Sequence, residues 1–146
     1  MESDVIRRLL AAARVARDGQ VALLREMVEC ESPSESAACI GRFNDLFAAR
    51  VAGLAKVRTV AAGRYGRHLL VELALPGPKR KKGQVLVLGH SDTVWPVGTL
   101  KSMPWRAEKG RLWGPGVLDM KGGLAQLVFA ARILRDGTCD GCALGT

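Results

Sequence analysis

Two short motifs gather the residues of this chain that could do chemistry. Gly89-His90-Ser91-Asp92-Thr93-Val94 places an imidazole two residues from a carboxylate. Gly114-Pro115-Gly116-Val117-Leu118-Asp119-Met120-Lys121-Gly122-Gly123 places a second carboxylate, Asp119, between glycine-rich turns. Imidazole and carboxylate are zinc ligands, and another carboxylate can hold the imidazole in the tautomer that offers its lone pair to a metal. Each residue also has a plain structural reading. A lone His after a strand is more often a hydrogen-bonded structural residue, Asp92 suits a turn, and Asp119 could cap the helix that follows. Three polar residues on consecutive loops of an apolar unit call for a shared reason. Chemistry alone leaves a metal site and separate structural roles in balance.

The elements that must position these residues can be read from periodicity. Residues 84–88, QVLVL, form a short apolar run expected to be a buried strand. His90 would then stand at the carboxyl edge of a strand, where open α/β sheets place ligand sites. The Gly-Pro-Gly turn leads through Asp119 into an apolar helix over 120–135, expected to be buried between a sheet and its neighbours and ended by Gly137. Upstream, helical patterns cover 4–17, 20–29 and 34–54, the last with Ala38, Phe43, Leu46, Phe47, Val51 and Leu54 near one face. Strand patterns cover 56–61, 68–75 and 84–89, and a small hairpin is expected at 105–108 and 111–113 around Lys109-Gly110. The fold class is α/β. Trp95 and Trp113 bracket the motif loops, and packing is favoured for them over lining a cleft.

The pattern of apolar strand, His-x-Asp-Thr-Val and Gly-Pro-Gly-x-x-Asp-x-Lys-Gly-Gly resembles the co-catalytic zinc hydrolases. That family includes glutamate carboxypeptidase, acetylornithine deacetylase, succinyl-diaminopimelate desuccinylase and the aminoacylases. Order and spacing match over about 84–134, and residues 23–34, ending Ser32-Pro33-Ser34, are similar to the family's first helix and its exit. Trp95-Pro96-Val97-Gly98-Thr99-Leu100 is most similar to the glutamate carboxypeptidase branch. The resemblance implies a zinc-exopeptidase-like three-layer sandwich, with His90 a ligand of one zinc and Asp119 a bridge between two. It implies that Asp92 orients the His90 ring and that a cis peptide follows the bridging residue, here Asp119–Met120. The reaction implied is hydrolysis of small peptides or N-acyl amino acids with a free carboxylate.

The family pattern continues with a strand ending in two adjacent glutamates, one the general base and one a zinc ligand, then a later acid and a late His. None of these has a match here: the segment 137–146 contains no glutamate, and the other histidine, His68, lies upstream in an expected strand. The expectation is therefore the amino-terminal part of a zinc-hydrolase catalytic domain over 1–136 and an atypical truncated tail over 137–146. Such an incomplete domain should be inactive alone and should self-associate.

Composition sets the remaining bounds. The chain has 146 residues, 48% hydrophobic, enough for one domain with a core. It shows no apolar run of membrane-spanning length and no secretory leader, so a cytoplasmic protein is expected. A net charge of +8 raises nucleic-acid binding. The one dense basic run, Lys79-Arg80-Lys81-Lys82, reads better as a solvated turn, and no aromatic residue interleaves with it for base stacking. Four cysteines without a leader do not suggest a disulfide framework. Cys30 and Cys39 read as buried residues near helix ends, and Cys139 and Cys142 as an incidental pair. A non-catalytic remnant or interaction module stands as the alternative to an enzyme; a basic nucleic-acid-binding domain is less favoured.

Overall fold

A helical layer forms first along the chain. The computed structural model describes residues 2–73 and 85–136. Helix α1 (Glu2–Val15) gives way at Ala16 to α2 (Arg17–Glu29), and α3 (Ala37–Val51) follows a short exit segment. The break falls at Ala16, not at Asp18-Gly19 where composition placed it, because Gly19 is a packing glycine. A Cβ there would lie 3.1 Å from the Phe129 ring. Helix α3 starts at Ala37 because Ser36 caps it, its hydroxyl accepting from the Cys39 backbone N–H at 3.3 Å. Ser34, expected inside this helix, lies outside it.

The core is built where apolar residues of three helices meet at helical spacing. Met27 and Val28 of α2 and Phe43 of α3 are wholly inaccessible, and Leu23, Leu24, Phe47 and Val51 surround them. The last helix, α4 (Gly122–Arg135), adds Leu124, Ala125 and Val128. Each large side chain so buried contributes about 1.5–3 kcal/mol. Helix α4 packs on α1 and α2, and its remaining apolar residues Leu127, Ile133 and Leu134 are only half-buried. Ala38 is exposed, its expected place in the core taken by Cys39 and Ile40.

Strands β1 (Ala55–Ala61) and β2 (Arg67–Leu73) pair antiparallel, Val57 opposite Val71, and pack Val57, Leu69 and Val71 against the α3 side of the core. A hairpin of β3 (Arg106–Glu108) and β4 (Arg111–Trp113) forms as expected. Lys109 and Gly110 both take positive φ, 49° and 72°, as a two-residue hairpin turn requires. Among the described residues these pairs make two separate two-stranded sheets.

The expected strand at 84–89 is the main correction. Residues 85–89 form no strand, and Val85, Leu86, Val87 and Leu88 are 57–79% exposed. An apolar run becomes a buried strand only when neighbours satisfy its backbone, and no described residue pairs with this one. The basic run 79–82, the loop it was assigned to, Gly137 and the tail with Cys139 and Cys142 lie outside the described residues. Cys39 is buried and Cys30 half-buried, both as free thiols. Among the described residues no helix is long and apolar enough to cross a membrane.

Candidate metal centre

The exit of α2 is the platform on which the first motif rests. Pro33 and Thr93 form a parallel bridge, with Thr93 N–H donating to Ser32 O at 2.8 Å and Ser34 N–H to Thr93 O at 2.9 Å. The Ser34 hydroxyl donates to Asp92 Oδ2 at 2.5 Å and contacts Thr93 O at 3.1 Å. The His90 backbone N–H donates to Met120 Sδ at 3.3 Å, joining the first motif loop to the second.

These anchors bring the three expected residues together. His90 Nδ1 lies 3.0 Å from the Asp92 carbonyl oxygen and 3.3 Å from Asp92 Oδ1, while Nε2 lies 2.9 Å from Asp119 Oδ1. The His90 ring thus faces Asp92, whose backbone carbonyl is a nearer partner than its carboxylate. The hydrogen bond to Asp119 raises the His90 pKa above its ordinary value. Partial burial opposes this, and the Asp92 carbonyl and both carboxylates add to it. Asp92 is held below the usual carboxylate range, first by the Ser34 hydroxyl, against the opposing effect of burial.

Asp119 is placed by a turn that few side chains would permit. Gly116 adopts φ 73°, and a Cβ there would stand 2.6 Å from Thr93 Cγ2. Between Val117 and Lys121 the chain winds widely, Lys121 N–H reaching Gly116 O at 3.0 Å, while Asp119 and Met120 leave helical dihedrals. The Asp119–Met120 peptide is cis. The Asp119 carboxylate is 84% exposed and turned toward His90.

Three residues that sequence reasoning did not single out complete the support. Lys121 is 2% exposed, donates from Nζ to Cys30 O at 3.0 Å and lies 4.9 Å from the centre of the Phe43 ring. Burial pushes its pKa down to about 8, against the pull of Cys30 and Glu31. The Glu31 carboxylate accepts from Gly98 N–H at 2.8 Å and Leu100 N–H at 3.1 Å, which fixes the loop after the first motif. Ser34 was noted only as part of the Ser-Pro-Ser exit. Residues 30–34 thus hold the Asp119 turn, the His90 loop and the 98–100 loop at once. The available signal was the polar Glu-Ser-Pro-Ser sequence at a helix exit, but nothing in it names partners 58 to 91 residues away.

A cleft of about 920 Å³ opens beside these groups, lined by His90, Asp92 and Asp119 on one side and by Trp95, Arg106 and Trp113 among others. Both tryptophans therefore line the cleft, against the packing role favoured from sequence. Trp105 is the tryptophan that packs on the core.

The donor set fits zinc in part. Zn–N and Zn–O bonds of about 2.0–2.2 Å in a tetrahedron set neighbouring donors about 3.3–3.5 Å apart. His90 Nε2 and Asp119 Oδ1 stand at 2.9 Å, so a small opening of the pair admits an ion between them. Hydrogen bonding at Nδ1 is what leaves the Nε2 lone pair for a metal. Two donors are short of a complete shell, and among the described residues no group of three His, Cys, Asp or Glu is arranged to hold an ion.

Residues 86–140 match the model of Peptidase family M20/M25/M40. The match agrees with the resemblance read from the two motifs, and it spans the segment that carries His90 and Asp119. Relatives include carboxypeptidase G2 of a Pseudomonas species, 27% identical over 132 residues, covering 88% of this chain and 31% of the relative. Another is a provisionally named LysW-lysine/LysW-ornithine hydrolase of Pyrococcus furiosus, 30% identical over 134 residues, covering 86% of this chain and 35% of the relative. The chain spans about a third of the length of these curated relatives.

Proposed function

We propose that this chain is the amino-terminal, metal-holding part of a zinc-dependent amidohydrolase catalytic domain of three-layer sandwich type, with residues 1–136 forming that part. Its substrates would be small peptides or N-acyl amino acids with a free carboxylate, as the name of carboxypeptidase G2 suggests. The observation that carries the reading is the His90 Nε2 to Asp119 Oδ1 pair at 2.9 Å, with Nδ1 held by Asp92, at the wall of a large cleft.

His90 and Asp119 would hold zinc, with Asp119 offering its second oxygen to another ion. Zinc bound there supplies Lewis acidity toward an amide carbonyl and toward water. The chain's own residues do the positioning. Asp92 keeps the proton on Nδ1, Ser34 keeps Asp92 charged and pointed at the ring, and Gly116 lets the Asp119 loop close on Thr93. No matched residue takes the part of a general base. A protein of these 146 residues is accordingly proposed to be inactive alone, and the exposed run 85–88 is proposed to make it self-associate.

The test is turnover. Purified chain with added zinc should not hydrolyse N-acyl amino acids. Chelator-sensitive hydrolysis that survives repurification and vanishes in His90→Ala would refute the inactive reading while upholding the site.

A further inference from the structure

The cleft beside His90 is lined by two carboxylates, Asp92 and Asp119, which on their own repel an anionic substrate. Among the described residues lining it, Arg106 is the only Lys or Arg. Its place is set by the hairpin: Arg106 pairs directly across from Trp113, and the guanidinium carbon lies 5.2 Å from the centre of the Trp113 ring. A planar cation resting on an aromatic face is oriented without being used up, because its N–H groups lie in its own plane and remain able to donate. The protein partner of those N–H groups is Glu108, reached from Nη1 at 3.4 Å, and both side chains are about half-exposed. A long, solvated ion pair of this kind holds little free energy and exchanges readily for a better one. Trp95, Met103, Leu112 and Val117 add apolar surface to the lining of the same cleft.

We propose that Arg106 is the substrate's anionic anchor. Its guanidinium, braced on Trp113, receives a carboxylate in exchange for Glu108 and seats an apolar group against the tryptophan wall. This rests on the cleft being the substrate site and adds a specificity-determining residue that neither motif contains. A ligand with a carboxylate and an apolar side chain satisfies both halves of the surface, whereas its carboxamide satisfies one.

The experiment uses the full chain and the fluorescence of its tryptophans, two of which line the cleft. N-acetylphenylalanine and its carboxamide are titrated separately. The carboxylate is expected to bind about fivefold more tightly than the amide, the ratio an exposed but oriented ion pair supports. Arg106→Gln should erase this preference, Arg106→Lys should keep part of it, and Glu108→Gln should enlarge it by removing the competing anion. Arg111→Gln, across the hairpin from Glu108 and outside the cleft lining, should leave it unchanged. Equal binding of the two ligands to the unmutated protein, or an undiminished preference in Arg106→Gln, overturns the anchor. Zinc titration of the same samples separates this result from the metal reading: zinc binding lost in His90→Ala with no carboxylate preference anywhere overturns the anchor alone. A carboxylate preference that tracks Arg106 supports the anchor even where zinc does not bind.

Discussion

Replacing Glu31 by Gln removes one charge and no volume, so its effect isolates the hydrogen bonds that fix the 98–100 loop. In the native protein the two carboxylate oxygens accept separately, Oε2 from Gly98 N–H at 2.8 Å and Oε1 from Leu100 N–H at 3.1 Å. A glutamine offers one carbonyl oxygen and turns its NH2 group toward the other N–H, donor against donor. Hydrogen bonds to a charged group are worth roughly 1.5–3 kcal/mol each. Glu31 is half-exposed, and water can replace part of what is lost, so the expected cost is about 1–1.5 kcal/mol. In a chain of this size that lowers Tm by about 3–6 °C. The cost depends on pH in a definite direction. Desolvation pushes the Glu31 pKa up, but the Gly98 and Leu100 N–H groups and the charge of Lys121 outweigh it, and the folded value is lowered. The carboxylate's contribution is therefore complete above its unfolded value of about 4.3 and is lost as pH falls through the lower folded value. The difference between the two proteins should be full at pH 7 and vanish in strong acid. Thermal melts across that range, with amide exchange at Gly98 and Leu100, measure it. Equal Tm at pH 7 with unchanged exchange at both amides would show that Glu31 does not hold the loop.

Other perturbations follow from the same geometry. Gly116→Ala puts a Cβ 2.6 Å from Thr93 Cγ2 at a positive φ, and urea unfolding should show a loss of about 1–3 kcal/mol. Lys121→Ala empties a buried site and leaves Cys30 O without its donor, which should cost about 2–4 kcal/mol in the same assay. Leu86→Lys combined with Leu88→Lys replaces two exposed apolar side chains, and analytical ultracentrifugation should show self-association reduced without loss of helical content.

What could be read from sequence was what is local. His90, Asp92 and Asp119 were singled out from motifs recognisable by their glycines and spacing, and the structure brings all three together. The helices declared themselves through apolar periodicity, and the hairpin through Lys109-Gly110, whose backbone takes the conformation the turn needs. What could not be read depends on distant partners. Ser34 was placed in a helix because its hydrogen bond to Asp92 spans 58 residues, and Lys121 was given no role because Cys30 O lies 91 residues away. The run 85–88 was misjudged for a related reason: apolarity shows that a segment should be covered, not what covers it. Trp95 and Trp113 fell on the wrong side of the packing choice because facing a cleft is a property of how loops meet, not of residue type.

The central claim is that His90 and Asp119 share a zinc ion, and the His90 ring nitrogens test it most directly. The chain has two histidines, and His68, exposed on β2, serves as the internal control. In a zinc titration followed by 15N NMR of the imidazoles, His90 Nε2 should shift on binding while Nδ1 keeps its proton and its bond to Asp92, with His68 unmoved. Asp92→Asn should weaken the response about tenfold or more by loosening the ring, and Asp119→Ala should weaken it further by removing a donor to the ion. A His90 Nε2 signal that ignores zinc, or one that shifts at the same zinc concentration in Asp119→Ala as in the unmutated protein, would contradict the claim.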